Sequence, residues 1–190
     1  MAKIKIGYQG IPGSNTHSAV LQLAGELYGN NFELFPLVSS RNVVSSLSTH
    51  KIDLGLMATE TAVVGSVPET KEAFLSCPIS LSQVGEIYLD IHHCLFALSH
   101  NTSEISGIAS HPEALRECSE YLRKQFPHAS LIPVEDTALS ARKLAGGGYS
   151  AGTAVICSKK AGEDNHLSLL AENIENLEHN WTRFQLFSTN

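Results

Sequence analysis

The chain has 190 residues, 43% of them hydrophobic and 17% charged, and a formal net charge of −6. That length suits one large domain or two small lobes, and the composition is that of a globular protein rather than a disordered one. An acidic balance without any basic run excludes a general nucleic-acid binder, which must displace counterions from a phosphate backbone.

No apolar run approaches the roughly 18 residues of a membrane span, and no signal peptide precedes Lys3. The cysteines Cys77, Cys94, Cys118 and Cys157 have neither C-x-x-C nor zinc spacing and read as reduced thiols. A cytoplasmic protein with no membrane partner is expected.

In chain order, residues 3–8 alternate as a strand and enter the glycine-rich turn Gly10-Ile11-Pro12-Gly13-Ser14-Asn15-Thr16. A helix is predicted from His17 to Tyr28. Strand, glycine turn and helix N-terminus together offer free N–H groups to an anion, though the glycine spacing fits neither nucleotide fingerprint. Residues 32–38 form the next strand, 42–48 a helix capped by Ser39 or Ser40, and 53–57 a central strand. That strand ends in Ala58-Thr59-Glu60-Thr61-Ala62, so hydroxyls and a carboxylate follow its C-terminal end, where open α/β sheets place ligands. A short helix from Pro68 to Ser76 leads to a crossing near Cys77-Pro78.

Residues 85–98 are long enough for one extended or bent strand. On it His92 and Cys94 face one way and His93 the other, so no metal triad forms. Residues 105–109 are a strand, and Ser110 is expected to cap a helix from His111-Pro112-Glu113 to Phe126, with Pro112 in the first turn. After the strand 131–134, Glu135-Asp136-Thr137 caps a helix over 138–144. A strand at 153–157, a helix opened by Ser158 and a weak strand at 167–170 follow. In the final stretch, Asn180-Trp181-Thr182-Arg183-Phe184, apolar and polar residues alternate as an imperfect strand. A hydroxyl beside a guanidinium suits an anionic ligand, and a structural strand with Arg183 in a salt bridge remains the other reading. Helix starts at Ser14–Thr16, Thr61, Ser110 and Thr137 are ordinary caps singly. Four of them suggest a cleft for a dicarboxylate.

The chain resembles the prephenate dehydratase family from about Lys5 to Phe187. Asn180 to Phe184 is similar to the family's N-x-T-R-F, and Ser110-His111-Pro112-Glu113-Ala114-Leu115-Arg116-Glu117-Cys118 to its S-H-P-Q-x-x-x-Q-C. Gly10 to Ser14, Gly85-Glu86 with Ile91 to Leu95, and Glu60-Thr61-Ala62 with Gly65-Ser66-Val67 resemble three further family segments in order. The resemblance implies an α/β fold of two lobes, like a type II periplasmic binding protein, with the active site in the inter-lobe cleft. Lobe one is expected at 1–78 plus 170–190, lobe two at 79–169, without the ACT domain that often follows in relatives. It also implies decarboxylating dehydration of prephenate to phenylpyruvate in phenylalanine synthesis, with no cofactor or metal, by a homodimer.

Under the resemblance Thr182 is catalytic, with Glu60, Thr61 and Ser110. Gly13, Ser14, Asn15, Thr16, Ala62, His111, Pro112, Glu117, Thr137, Arg183 and Phe184 bind substrate. The departures are Thr61 for the family's asparagine, Asn15 for an aromatic and Glu117 for a glutamine. Glu117 repels a dicarboxylate unless it is protonated or points elsewhere, and it suits arogenate, whose amine replaces the keto group. A prephenate decarboxylase and a non-catalytic anion binder are the remaining alternatives.

Overall fold

The structure is a computed structural model and describes residues 2–189. In chain order its elements are β1 (Ile4–Tyr8), α1 (Asn15–Tyr28), β2 (Phe32–Pro36), α2 (Ser40–Ser48), β3 (Leu54–Thr61) and β4 (Gly65–Ser66). There follow α3 (Pro68–Leu75), β5 (Leu81–Asp90), β6 (Cys94–Ala97), β7 (Gly107–Ser110), α4 (Pro112–Glu117) and α5 (Ser119–Gln125). The last are β8 (Ser130–Pro133), α6 (Thr137–Ala145), β9 (Thr153–Cys157), α7 (Lys159–Asp164), β10 (Ser168–Ala171) and β11 (Trp181–Thr189).

The chain divides into two compact units, Met1–Asp90 with Trp181–Asn190, and Ile91–Asn180. Both crossings lie further along than the 78 and 170 expected from sequence. The reason is pairing: β5 lies along the whole of β11 and so belongs to the first unit. The single strand expected over 85–98 is therefore two, β5 and β6, one in each unit, separated at Ile91–His93.

The first unit is built on a sheet ordered β2-β1-β3-β11-β5, with β4 hydrogen-bonded to β3. β1 runs parallel to β2 and β3, while β11 runs antiparallel to both its neighbours. Helices cover both faces, which explains why the first half of β3, Leu54 to Met57, is apolar rather than alternating. On one face Leu23 and Leu27 of α1 approach Gly85, beside Leu186 of β11. On the other, Val43, Val44 and Leu47 of α2 pack with Ile52, Met57, Ala73 and Phe187.

The second unit has the sheet order β10-β6-β9-β7-β8, parallel at β7 with β8 and β9 and antiparallel at β6 with β9 and β10. Its core joins Leu95, Ile108, Ala154 and Ile156 to Ala114, Leu115, Cys118 and Leu122. The helix predicted through Phe126 is interrupted at Cys118, giving α4 and α5. Burial pushes the thiols of Cys94, Cys118 and Cys157 up, and none of these, nor Cys77, is in a disulfide. No helix among the described residues is long and apolar enough to cross a membrane.

α2 sits close on the sheet because β3 presents a glycine beneath it. A Cβ on Gly55 would lie 2.5 Å from Val43 Cγ1 and 2.9 Å from Leu47 Cδ1. The branched Val43 has little room to yield. Gly55→Ala is expected to cost about 1–3 kcal/mol by overpacking, read as a lower urea midpoint with the slope unchanged.

Candidate active site

In the first unit the candidate residues gather at one edge of the sheet, for a reason of topology. β1 and β3 are parallel, so the turn after Tyr8 and the end of β3 leave the same edge, and antiparallel β11 begins there. The turn holds Gly13 at φ 94°, a left-handed conformation that costs a glycine nothing. Ser14 then caps α1, its Oγ accepting the His17 N–H at 3.2 Å, while Gly13 N–H donates to His17 Nδ1 at 3.2 Å. The His17 ring stacks on Tyr8 with centroids 5.4 Å apart. Helix geometry leaves the N–H groups of Asn15 and Thr16 directed out of the first turn, at the positive end of the dipole.

At the same edge Thr182 lies directly opposite Thr61 on β3 and Leu89 on β5. Its side chain shares the face of Phe184 and Leu186, the face that α1 covers. Thr182 is only 9% exposed. Its hydroxyl nevertheless makes no hydrogen bond to another described residue. Among these residues the one sealed side-chain polar atom without a partner is Tyr149 Oη, so Thr182 Oγ is reachable by solvent. Thr61 Oγ accepts the Val64 N–H at 3.2 Å, which leaves its proton free to donate outward. Ala62 N–H donates to Trp181 O at 2.9 Å and so holds the start of β11.

Arg183 takes the second of its two readings, an ion pair. Neighbours on a strand point to opposite faces, so Arg183 is not beside the Thr182 hydroxyl. Its Nε, at 3.1 Å, and Nη2 both donate to Glu86 Oε2, Nη1 lies 3.6 Å from Glu60 Oε2, and the guanidinium sits 5.7 Å from the Tyr88 ring centre. Glu60 is consequently on that far face too. A groove of about 420 Å³ opens there, lined in part by Glu60, Lys71, Phe74 and Arg183. The hydrogen bond from Arg183, and then that from Gln83, hold the Glu86 carboxyl below its ordinary range, against a smaller opposing effect of desolvation. The same pairing raises Arg183. Phe184 is closed within the core, 2% exposed.

The candidates of the second unit are mostly committed elsewhere. Ser110 is not a helix cap: it ends β7, fully buried, and its Oγ donates to Ile156 O at 2.7 Å. The cap is His111, whose Nδ1 accepts the Glu113 N–H at 3.3 Å, with Pro112 in the first turn as expected. A neutral His111 in this role carries its proton on Nε2. Glu117 points inward. Its Oε2 lies 2.7 Å from His93 Nε2 and accepts from Asn180 Nδ2 at 3.2 Å, so it is no counter-charge for a ligand amine. Thr137 begins α6, but Asp136 caps it, accepting the Leu139 N–H at 2.9 Å. Among the described residues no three His, Cys, Asp or Glu side chains are grouped as metal ligands.

The family model for prephenate dehydratase matches residues 6–190. The chain belongs to the prephenate dehydratase family. It is 32% identical over 182 residues to the bifunctional chorismate mutase/prephenate dehydratase of Aquifex aeolicus (strain VF5), covering 96% of this chain and 48% of that protein. It is 30% identical to Arabidopsis thaliana arogenate dehydratase 5, chloroplastic, over 97% of this chain and 42% of the relative. The chain therefore spans about half the length of the curated relatives it matches. The crystal structure of Arthrobacter aurescens prephenate dehydratase in complex with L-Phe matches with TM-score 0.84 and 25% identity, covering 98% of this chain and 60% of that one. A methionine-bound nutrient binding protein from Burkholderia cenocepacia, 13% identical at TM-score 0.54 over 97% of this chain and 84% of its own, shares the fold. The mixed α/β fold is thus that of prephenate dehydratases and of type II periplasmic binding proteins.

Motif reading within the prephenate dehydratase family missed Glu86, Tyr88, His93 and Asn180 as partners of motif residues. Only pairing register brings Glu86 to Arg183, 97 positions away. Two outcomes follow. Glu117→Ala strands His93 and Asn180 and should cost about 1–3 kcal/mol, measured by thermal unfolding. Because Glu86 has a depressed folded pKa, its pairing contributes above the ordinary carboxylate pKa and is lost as pH falls through the lowered one. Arg183→Met should return Glu86 toward the ordinary carboxylate range, as followed by carboxyl-carbon NMR titration.

Proposed function

We propose that the protein is a lyase that converts prephenate to phenylpyruvate by coupled loss of CO2 and the ring hydroxyl. The observation that carries this reading is the Thr182 hydroxyl, on a buried residue, without a hydrogen-bond partner among the described residues and not fully sealed from solvent. In the reaction the bond from the ring to the departing carboxylate breaks, and its electrons complete the aromatic sextet. The ring C–O bond breaks at the same time and the hydroxide leaves with its pair, becoming water with a proton from hydronium or a buffer acid in the solvent. The change is redox-neutral.

A threonine hydroxyl is too weak an acid to deliver that proton outright. Thr182 instead donates a hydrogen bond that strengthens as negative charge grows on the leaving oxygen, an interaction stronger in the transition state than in the ground state. The N–H groups of Asn15 and Thr16 and the positive end of the α1 dipole suit one substrate carboxylate. The Thr61 hydroxyl, opposite Thr182, supplies a second donor at that edge. Arg183 and Glu60 take no direct part, being on the far face. With Glu117 held by His93 and Asn180, the side chain that favoured arogenate is occupied, and prephenate is the better reading.

The test is ultraviolet and CO2 assay of the full chain with prephenate and with arogenate. Phenylpyruvate and CO2 in equal amounts support the proposal. A non-aromatic product with CO2, or binding without turnover, contradicts it, and a strong preference for arogenate moves the substrate to the amine. Thr182→Ala should lower kcat on the order of a hundredfold with the fold retained by circular dichroism.

A further inference from the structure

We propose that Arg183, with Glu86, is a positioning residue: the pair acts from the far face of the sheet to hold the Thr182 hydroxyl in register. This rests on the catalytic reading of Thr182.

The need for such a device lies in the local ladder. Between Arg183 and Phe184 the register of β11 against β3 shifts, so Thr59 has no opposite number. The rungs Thr182–Thr61 and Arg183–Glu60 are thereby separated from the regular ladder that runs from Phe184–Ala58 to Ser188–Leu54. A bulge of this kind interrupts pairing and twists the strand. These rungs stand at the start of β11, where on the β3 side the ladder ends in the Ala62 N–H to Trp181 O bond.

Against β5 the ladder is regular from Trp181–Asp90 to Leu186–Gly85, and the far-face side chains extend that tie across the bulge to β3. Arg183 bridges Glu86 on β5 and Glu60 on β3. The Tyr88 ring lies 5.7 Å from the guanidinium and 5.5 Å from the ring of Trp181, so both neighbours of Thr182 rest on one aromatic. Gln185 continues the row, donating to Gln83 Oε1 at 2.6 Å. On the backbone, Thr59 Oγ donates to Arg183 O at 3.4 Å and spans the bulge itself. Residues 181 and 183 are held from one side, and the pleat directs the intervening Thr182 side chain to the other.

The competing role for Arg183 is direct capture of a substrate carboxylate, and the kinetic signatures differ. If the pair positions Thr182, Glu86→Gln and Arg183→Met should each lower kcat about tenfold, since small displacements of a catalytic group cost heavily. KM should stay within about twofold, and the double variant should resemble Arg183→Met, because the two residues act through one link. A KM increase confined to Arg183→Met, with Glu86→Gln unaffected, overturns the proposal in favour of carboxylate capture. Unchanged kinetics in both variants overturn it as well. A second readout needs no turnover: the Thr182 γ-methyl resonance should move in both variants while core methyls such as those of Ile6 stay in place. An unmoved Thr182 methyl overturns the positioning role. Absence of turnover by the unmodified protein overturns the catalytic reading instead, and the methyl shift still decides the positioning.

Discussion

The structure of the first unit depends on where β11 pairs. The strand comes back from the second unit and inserts antiparallel between β3 and β5, so its residues alternate between two covered faces. That insertion brings Thr182 opposite Thr61, at the edge where the glycine turn delivers the N-terminus of α1. It also sends Arg183 the other way. A motif in which threonine and arginine are adjacent in sequence is thus split by the pleat: one side chain faces the edge that α1 shares, and the other joins a cross-strand ionic cluster. Lost pairing at this strand would remove the hydroxyl and its supports together.

In the second unit the buried polar groups form a closed arrangement. Glu117 receives His93 and Asn180, while Glu175 lies 2.8 Å from His92 Nδ1 and accepts the His93 N–H at 2.9 Å. A carboxylate in so apolar a setting is costly unless hydrogen-bonded, and here each has donors. A charged residue is tolerated at position 117 because the acid accepts from a histidine and an amide, and a ligand is not required to neutralise it. The departure at Thr61 has a different character. Its oxygen is used by the local turn through Val64, and only its proton faces outward.

Much of the fold was legible from residues alone. The α1 cap at Ser14, the alternating β1 and the apolar β3 all leave local marks, whereas residues 85–98 suit one extended or bent strand and carry no mark of the break after Asp90. The start of β11 at Trp181 could be placed because apolar and polar residues alternate there. What local marks cannot carry is partnership. Nothing near Ser110 says that its hydroxyl will meet Ile156 O on neighbouring β9, and a serine before His-Pro resembles a cap until the register of β7 is known. Glu60 and Arg183 belong to separate motifs, and their shared face follows only from the antiparallel pairing of β3 with β11. The unit boundaries at 90 and 180 differ from the expected 78 and 170 for the same reason, since β5 has no sequence mark that assigns it to β11.

The central claim is that the hydroxyl at position 182 stabilises the departing oxygen. The most direct measurement is the single-turnover rate at saturating prephenate for Thr182→Val, which replaces the hydroxyl by a methyl of similar size, beside Thr182→Ser, which keeps the hydroxyl. The account predicts that the valine variant loses on the order of a hundredfold in the chemical step while binding prephenate as before, and that the serine variant keeps most of the rate. A valine variant as fast as the unmodified protein would contradict it.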